Sequence, residues 1–139
     1  VQGVSHGIGT MFKALCDAES GFLKPGDTVL ISSPVYAPYN TIMENLGLNI
    51  FSIPIDPRTG LVIGDLDKLL SEAPENVKLI CLIDPNNPTG FTCDEKFLKK
   101  IAEFASKKNA LIVSDEVYSD FFLYRKKSRK MGGVGFFLF

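Results

Sequence analysis

Four apolar runs of strand length punctuate the chain, at Thr28 to Ser33, Asn49 to Ile53, Lys78 to Asp84 and Ala110 to Ser114. The segments around them have helical period instead. Ile8 to Phe22 places Met11, Phe12, Leu15 and Ala18 on one face, and Tyr39 to Leu46 stops at Gly47, a residue suited to the position just past a helix. Asp65 to Glu72 carries Leu66, Leu69 and Leu70 together. The most regular helix is Asp94 to Lys108. Thr92 and Glu95 have capping-box spacing, Phe97, Leu98, Ile101, Ala102 and Ala105 form an apolar stripe, and lysines crowd the last turn, where the helix dipole favours them. Strand-length runs alternating with helices are the signature of βαβ units, so the pattern predicts an α/β fold built on a mainly parallel sheet.

The last fifteen residues break this pattern. Arg125-Lys126-Lys127-Ser128-Arg129-Lys130 holds five cations in six residues, and the stretch from Met131 to Phe139 turns glycine-rich and greasy. Neither part has helix or strand logic. The expected division is therefore a folded body over 1–124 and a tail over 125–139 outside the fold. A basic run beside aromatics can touch nucleic acid or an anionic membrane, but a solvated run is the simpler reading. Composition agrees: 139 residues, 45% hydrophobic, with a formal net charge of −1, describe one ordinary globular domain with no nucleic-acid partner. No stretch of 18 apolar residues exists to span a membrane, and Val1-Gln2-Gly3 has no signal-peptide character, so a cytoplasmic setting is expected. Cys16, Cys81 and Cys93 share no metal-ligand spacing, and no metal site is expected.

The candidate chemistry lies at two strand ends. The run ending at Asp84 leads into Asn86-Asn87-Pro88-Thr89-Gly90, and the run ending at Ser114 leads into Asp115-Glu116-Val117-Tyr118. In open α/β sheets ligands bind outside the carboxyl ends of the strands, so an amide from one end and a carboxylate and phenol from the next converge on one place. Asn-Pro-Thr-Gly at 87–90 and Asp-x-x-Tyr at 115–118 resemble the cofactor motifs of the class I/II aminotransferases, within the fold-type I pyridoxal-phosphate enzymes. The resemblance runs from Val1 to about Phe122. It implies a three-layer α/β/α sandwich, here part of the large cofactor domain, and pyridoxal 5′-phosphate as cofactor. It also implies amino-acid and 2-oxo-acid substrates and a homodimeric parent.

The resemblance assigns the residues as follows. Asp115 would pair with the ring nitrogen and keep it protonated, which lets the ring accept the charge of a substrate carbanion. Asn87 and Tyr118 would hydrogen-bond the ring oxygen, Tyr36 would lie flat on the ring, and Val4 and Ser5 would hold the phosphate beside the first helix. Taken singly, a turn asparagine, a capping aspartate and a packed tyrosine are the plain alternatives for Asn87, Asp115 and Tyr36. Tyr39 reads as packing, Glu116 as structural, and His6 as a capping or surface residue. Gly7-x-Gly9 lacks the third glycine of a dinucleotide fingerprint and follows no strand.

The family's Schiff-base lysine follows a further strand in a Ser-x-x-Lys context, and the chain contains no such segment. Lys126, Lys127 and Lys130 lie too close to Tyr118 and in no turn of that kind. No catalytic residue is therefore assigned. The expectation is a fragment of an aminotransferase, itself inactive; a β-lyase or decarboxylase on the same scaffold, or an inactive remnant, are the alternatives.

Overall fold

A computed structural model describes residues 2–19, 21–119 and 136–138, the last three by their backbone. The apolar runs become β1 (Thr28–Ser33), β2 (Asn49–Asp56), β4 (Val77–Ile83) and β5 (Leu111–Asp115), all parallel, while β3 (Leu61–Val62) lies antiparallel on β2. With β6 (Phe136–Leu138) parallel on β5, the sheet order is β3-β2-β1-β4-β5-β6. Helices α1 (Val4–Leu15) and α2 (Ala37–Asn45) cover one face; α3 (Leu66–Ser71) and α4 (Glu95–Lys108) cover the other. The chain is an α/β three-layer sandwich.

Alternation along the strands divides the apolar residues between two cores. Val29, Ile31, Leu79, Cys81 and Val113 meet Ile8, Met11, Phe12 and Met43 on the α1/α2 face. Leu30, Ile80 and Ile112, the intervening residues, meet Phe97, Ile101 and Ala105 of α4 on the opposite face. Wetness on neither side explains why these strands read as continuous apolar runs.

Several boundaries differ from the sequence expectation, each for a local reason. Helix α1 starts at Val4 rather than Ile8, because Gly3 takes φ 80° and turns the chain directly into the first helical turn. It ends at Leu15 rather than Phe22, where Asp17 accepts a hydrogen bond from the Glu19 N–H (2.9 Å) and Gly21 takes φ 55°. Strand β2 continues through Pro54, whose carbonyl accepts the Ile63 N–H (2.8 Å) and so joins the hairpin to β3, an element the period did not announce. The tail expectation also changes in part. Phe136–Leu138 pairs with Ile112–Ser114 through the backbone as the last strand of the sheet; 125–135 and 139 lie outside the described residues.

The cap of α4 is Asp94, not Thr92: its Oδ1 accepts the Phe97 N–H at 2.7 Å. Replacing Asp94 by alanine is therefore expected to cost about 1 kcal/mol of stability. Thr92→Ala should stay within about 0.5 kcal/mol, as for an exposed surface change. Urea unfolding of the two variants separates these outcomes, and equal losses would restore the capping box.

Candidate functional site

Strands β1 and β4 are neighbours at the centre of the sheet, yet the chain leaves them in opposite directions. From β1 it passes to α2 on one face, and from β4 to α4 on the other. Their outgoing loops diverge and leave a crevice, the topological switch point at which α/β sheets bind ligands. The loop after β5 and the first turn of α1 complete its walls. All six residues singled out from the sequence, Val4, Ser5, Tyr36, Asn87, Asp115 and Tyr118, line this one cleft of about 190 Å³, together with Ile8 and Val117.

Asp115 is the last residue of β5 and shares the side of Val113, the α1/α2 side. It is 4 % exposed, and a carboxylate so placed needs hydrogen-bond donors. Two are supplied: the Val117 N–H donates to Oδ1 (3.1 Å) and the Tyr39 hydroxyl to Oδ2 (2.9 Å). Tyr39 is thus the functional residue that the sequence reading missed. It is fully buried, and burial, then the nearby Cys81 and the Asp115 charge, push its phenol far above the ordinary range. Such a phenol keeps its proton and can only donate it to Asp115. Burial and then the Asp115 charge push the Cys81 thiol up as well. The available signal was spacing. Tyr39 follows the cleft residue Tyr36 by three positions, Pro38 sits in the opening turn of α2, and a buried tyrosine hydroxyl must find a partner.

Across the cleft, the Asn87 side-chain amide donates to the Tyr118 hydroxyl at 3.2 Å. An amide and a phenol held in contact make a natural grip for an anionic oxygen. Tyr36, the residue before α2, is 41 % exposed. The first turn of α1, with Val4 and Ser5, has no side-chain acceptor on its N-cap Gly3, the kind of uncapped helix start that can take an anion. Glu116 accepts from the Ser114 hydroxyl (3.3 Å) and takes no part in the lining.

A carboxylate for a ring nitrogen, paired donors for a ring oxygen, an aromatic face and a helix N-terminus for a phosphate fit pyridoxal 5′-phosphate as a set. Volume alone would point elsewhere. A hollow of about 380 Å³ lies between α3 and α4, but its Lys100 is paired with Asp67 and its Lys108 with Glu75 (2.8 Å). Among the described residues no cluster suited to a metal ion occurs, and no helix is long and apolar enough to cross a membrane.

The family model described as "Aminotransferase class I and II" matches residues 1–131. Among curated proteins, the chain is 33% identical over 115 residues to cystathionine beta-lyase PatB of Bacillus subtilis, covering 82% of this chain and 30% of that protein. It is 33% identical over 112 residues to aspartate aminotransferase of Sulfolobus acidocaldarius, covering 79% and 28%. Among solved structures, a PLP-dependent aminotransferase from Streptococcus suis superposes with a TM-score of 0.64 at 31% identity, over 81% of this chain and 28% of that one. The chain spans less than a third of the length of each of these relatives.

Proposed function

The chain belongs to the class I and II aminotransferases, and from that premise we propose that its cleft binds pyridoxal 5′-phosphate for amino transfer between an amino acid and a 2-oxo acid. The observation that carries this reading is the carboxylate of Asp115, buried at a strand end and fixed by Tyr39 and the Val117 N–H, opposite the Asn87–Tyr118 pair. The matched relatives include a lyase, but the matched family and the aspartate enzyme favour transfer.

When bound, the cofactor supplies an electron sink for the charge left at an amino acid's α-carbon. The chain's residues serve that chemistry by position and charge. Asp115 holds a proton on the ring nitrogen, and the two donors it already accepts orient it so that little reorganisation is needed. Asn87 and Tyr118 donate to the ring oxygen. Tyr36 covers one ring face and keeps water from it, while Val4 and Ser5 offer backbone N–H groups, and Ser5 a hydroxyl, to the phosphate. We further propose a homodimeric parent enzyme, as the family resemblance implies, and a cytoplasmic setting.

Among the described residues no lysine lines the cleft, so binding by these residues is non-covalent. Titrating the purified chain with pyridoxal 5′-phosphate should quench tyrosine fluorescence saturably, inorganic phosphate should compete, and borohydride should fix the cofactor to no single lysine stoichiometrically. Absence of saturable binding would overturn the reading; stoichiometric labelling of one lysine would overturn its non-covalent form.

A further inference from the structure

One side chain spans the fork between β1 and β4. Asn86 is 3 % exposed, and every hydrogen-bonding group of its amide is engaged. Its Oδ1 accepts the hydroxyl of Ser32, the penultimate residue of β1, at 3.2 Å. Its Nδ2 donates to the Pro34 carbonyl (3.1 Å) and to the Thr89 hydroxyl (2.7 Å). The Pro34 carbonyl can only accept, so the amide nitrogen must face it and the oxygen must turn to Ser32. The main chain of Asn86 closes the turn as well: its N–H donates to the Phe91 carbonyl and its carbonyl accepts the Gly90 N–H, both at 2.8 Å. Thr89 Oγ1 then accepts the Phe91 N–H at 3.1 Å.

These bonds join two arms that leave the sheet on opposite faces. Pro34 lies two residues before Tyr36, and Asn86 and Thr89 flank Asn87, so a single amide ties the arm bearing the aromatic ring to the arm bearing the ring-oxygen donor. No other side chain meets the demand. Aspartate has no donor, serine and threonine are too short to reach both arms, and glutamine adds a methylene to a buried site.

We propose that Asn86 is a positioning residue, which touches no cofactor and sets the separation between Tyr36 and Asn87 across the cleft. This rests on the cofactor reading above. A strand-end tie of this kind should be felt by a ligand that needs both arms and ignored by one that needs neither.

The test uses the full chain with Ser32→Ala, which removes one strut, Thr89→Val, which removes one strut and the acceptor of the Phe91 N–H, and Asn86→Leu, which removes all three struts. Affinity is read for pyridoxal 5′-phosphate and separately for inorganic phosphate, alongside amide hydrogen exchange at Gly90. The expected result for Ser32→Ala and Thr89→Val is about a five- to tenfold loss of pyridoxal-phosphate affinity per strut, the scale of one hydrogen bond. Phosphate affinity at α1 should not change. In Asn86→Leu the Gly90 amide should exchange faster, whereas Asn87→Ala, which removes a cofactor contact and leaves the tie intact, should weaken pyridoxal phosphate with Gly90 unchanged. Equal losses for both ligands would reduce Asn86 to a general stability role and overturn the proposal, as would unchanged affinity together with unchanged Gly90 exchange. Failure of the parent chain to bind pyridoxal phosphate at all would sink the cofactor reading, and this inference with it.

Discussion

Replacing Asp115 by asparagine is expected to lower the chain's affinity for pyridoxal 5′-phosphate by about ten- to a hundredfold. A hydrogen bond to a charged group is worth about 1.5–3 kcal/mol, and each 1.4 kcal/mol is about tenfold in binding. Asparagine keeps the volume and one acceptor, so the Tyr39 hydroxyl, which is held 2.9 Å from the carboxylate, still has a partner. What disappears is the negative charge that holds a proton on the ring nitrogen. Circular dichroism should show the variant folded, and fluorescence titration should show the weakened binding. Pyridoxal 5′-phosphate bound as tightly by this variant as by the parent would remove Asp115 from the ring nitrogen. Asp115→Ala should be worse in a second way. It strands the buried Tyr39 hydroxyl, adding about 1–3 kcal/mol of instability.

Replacing Phe12 by alanine should be the most damaging change to the fold, at about 3–5 kcal/mol. Phe12 is fully buried where α1 meets the sheet, among Ile8, Leu23, Val29 and Ile31. A domain of this size has about 5–15 kcal/mol in total, so one side chain would consume much of the margin. The measurement is urea unfolding with an unchanged slope and a lowered midpoint. The consequence reaches the site through α1, because the residues that loosen carry Val4 and Ser5 with them. Phosphate affinity should therefore fall at urea concentrations where the parent chain still binds. A loss below about 1 kcal/mol would mean that α1 packs against the sheet more loosely than its burial indicates.

How far the sequence could be read depended on how local each cause was. Strand β1 has the bounds its apolar run announces, and α4 its apolar stripe, because strand and helix periods are written within a few neighbouring residues. Asn87, Asp115 and Tyr118 could be singled out because each lies at, or within four residues of, the end of a strand, and a strand end is a place as well as a residue. What escaped was long-range or geometric. The Tyr39–Asp115 bond joins residues 76 positions apart, and the Ser32–Asn86 bond joins residues 54 apart. Neither partner alone looks unusual. The early start of α1 turned on the backbone angle of Gly3, and the hairpin to β3 on the turn from Asp56 to Gly60, where the Gly60 N–H meets the Asp56 carbonyl at 2.8 Å. The capping residue of α4 was misjudged because Thr92 and Asp94 both offer a suitable oxygen, and only the path of the chain from Cys93 selects between them.

The placement of Asp115 by strand alternation makes the site sensitive to the count of residues rather than to their kind. Leu111, Val113 and Asp115 share one side of β5, and Ile112 faces the other core. Deleting any single residue from Leu111 to Ser114 while β5 keeps its pairing to β4 would carry the Asp115 carboxylate to the α3/α4 side, away from Tyr39, and bring Glu116, one methylene longer, into its slot. Conservative exchanges within the strand, such as Val113→Ile, leave that parity untouched. Insertions and deletions here should therefore be excluded from any functional version of the molecule far more strictly than substitutions, even where the new sequence is just as hydrophobic.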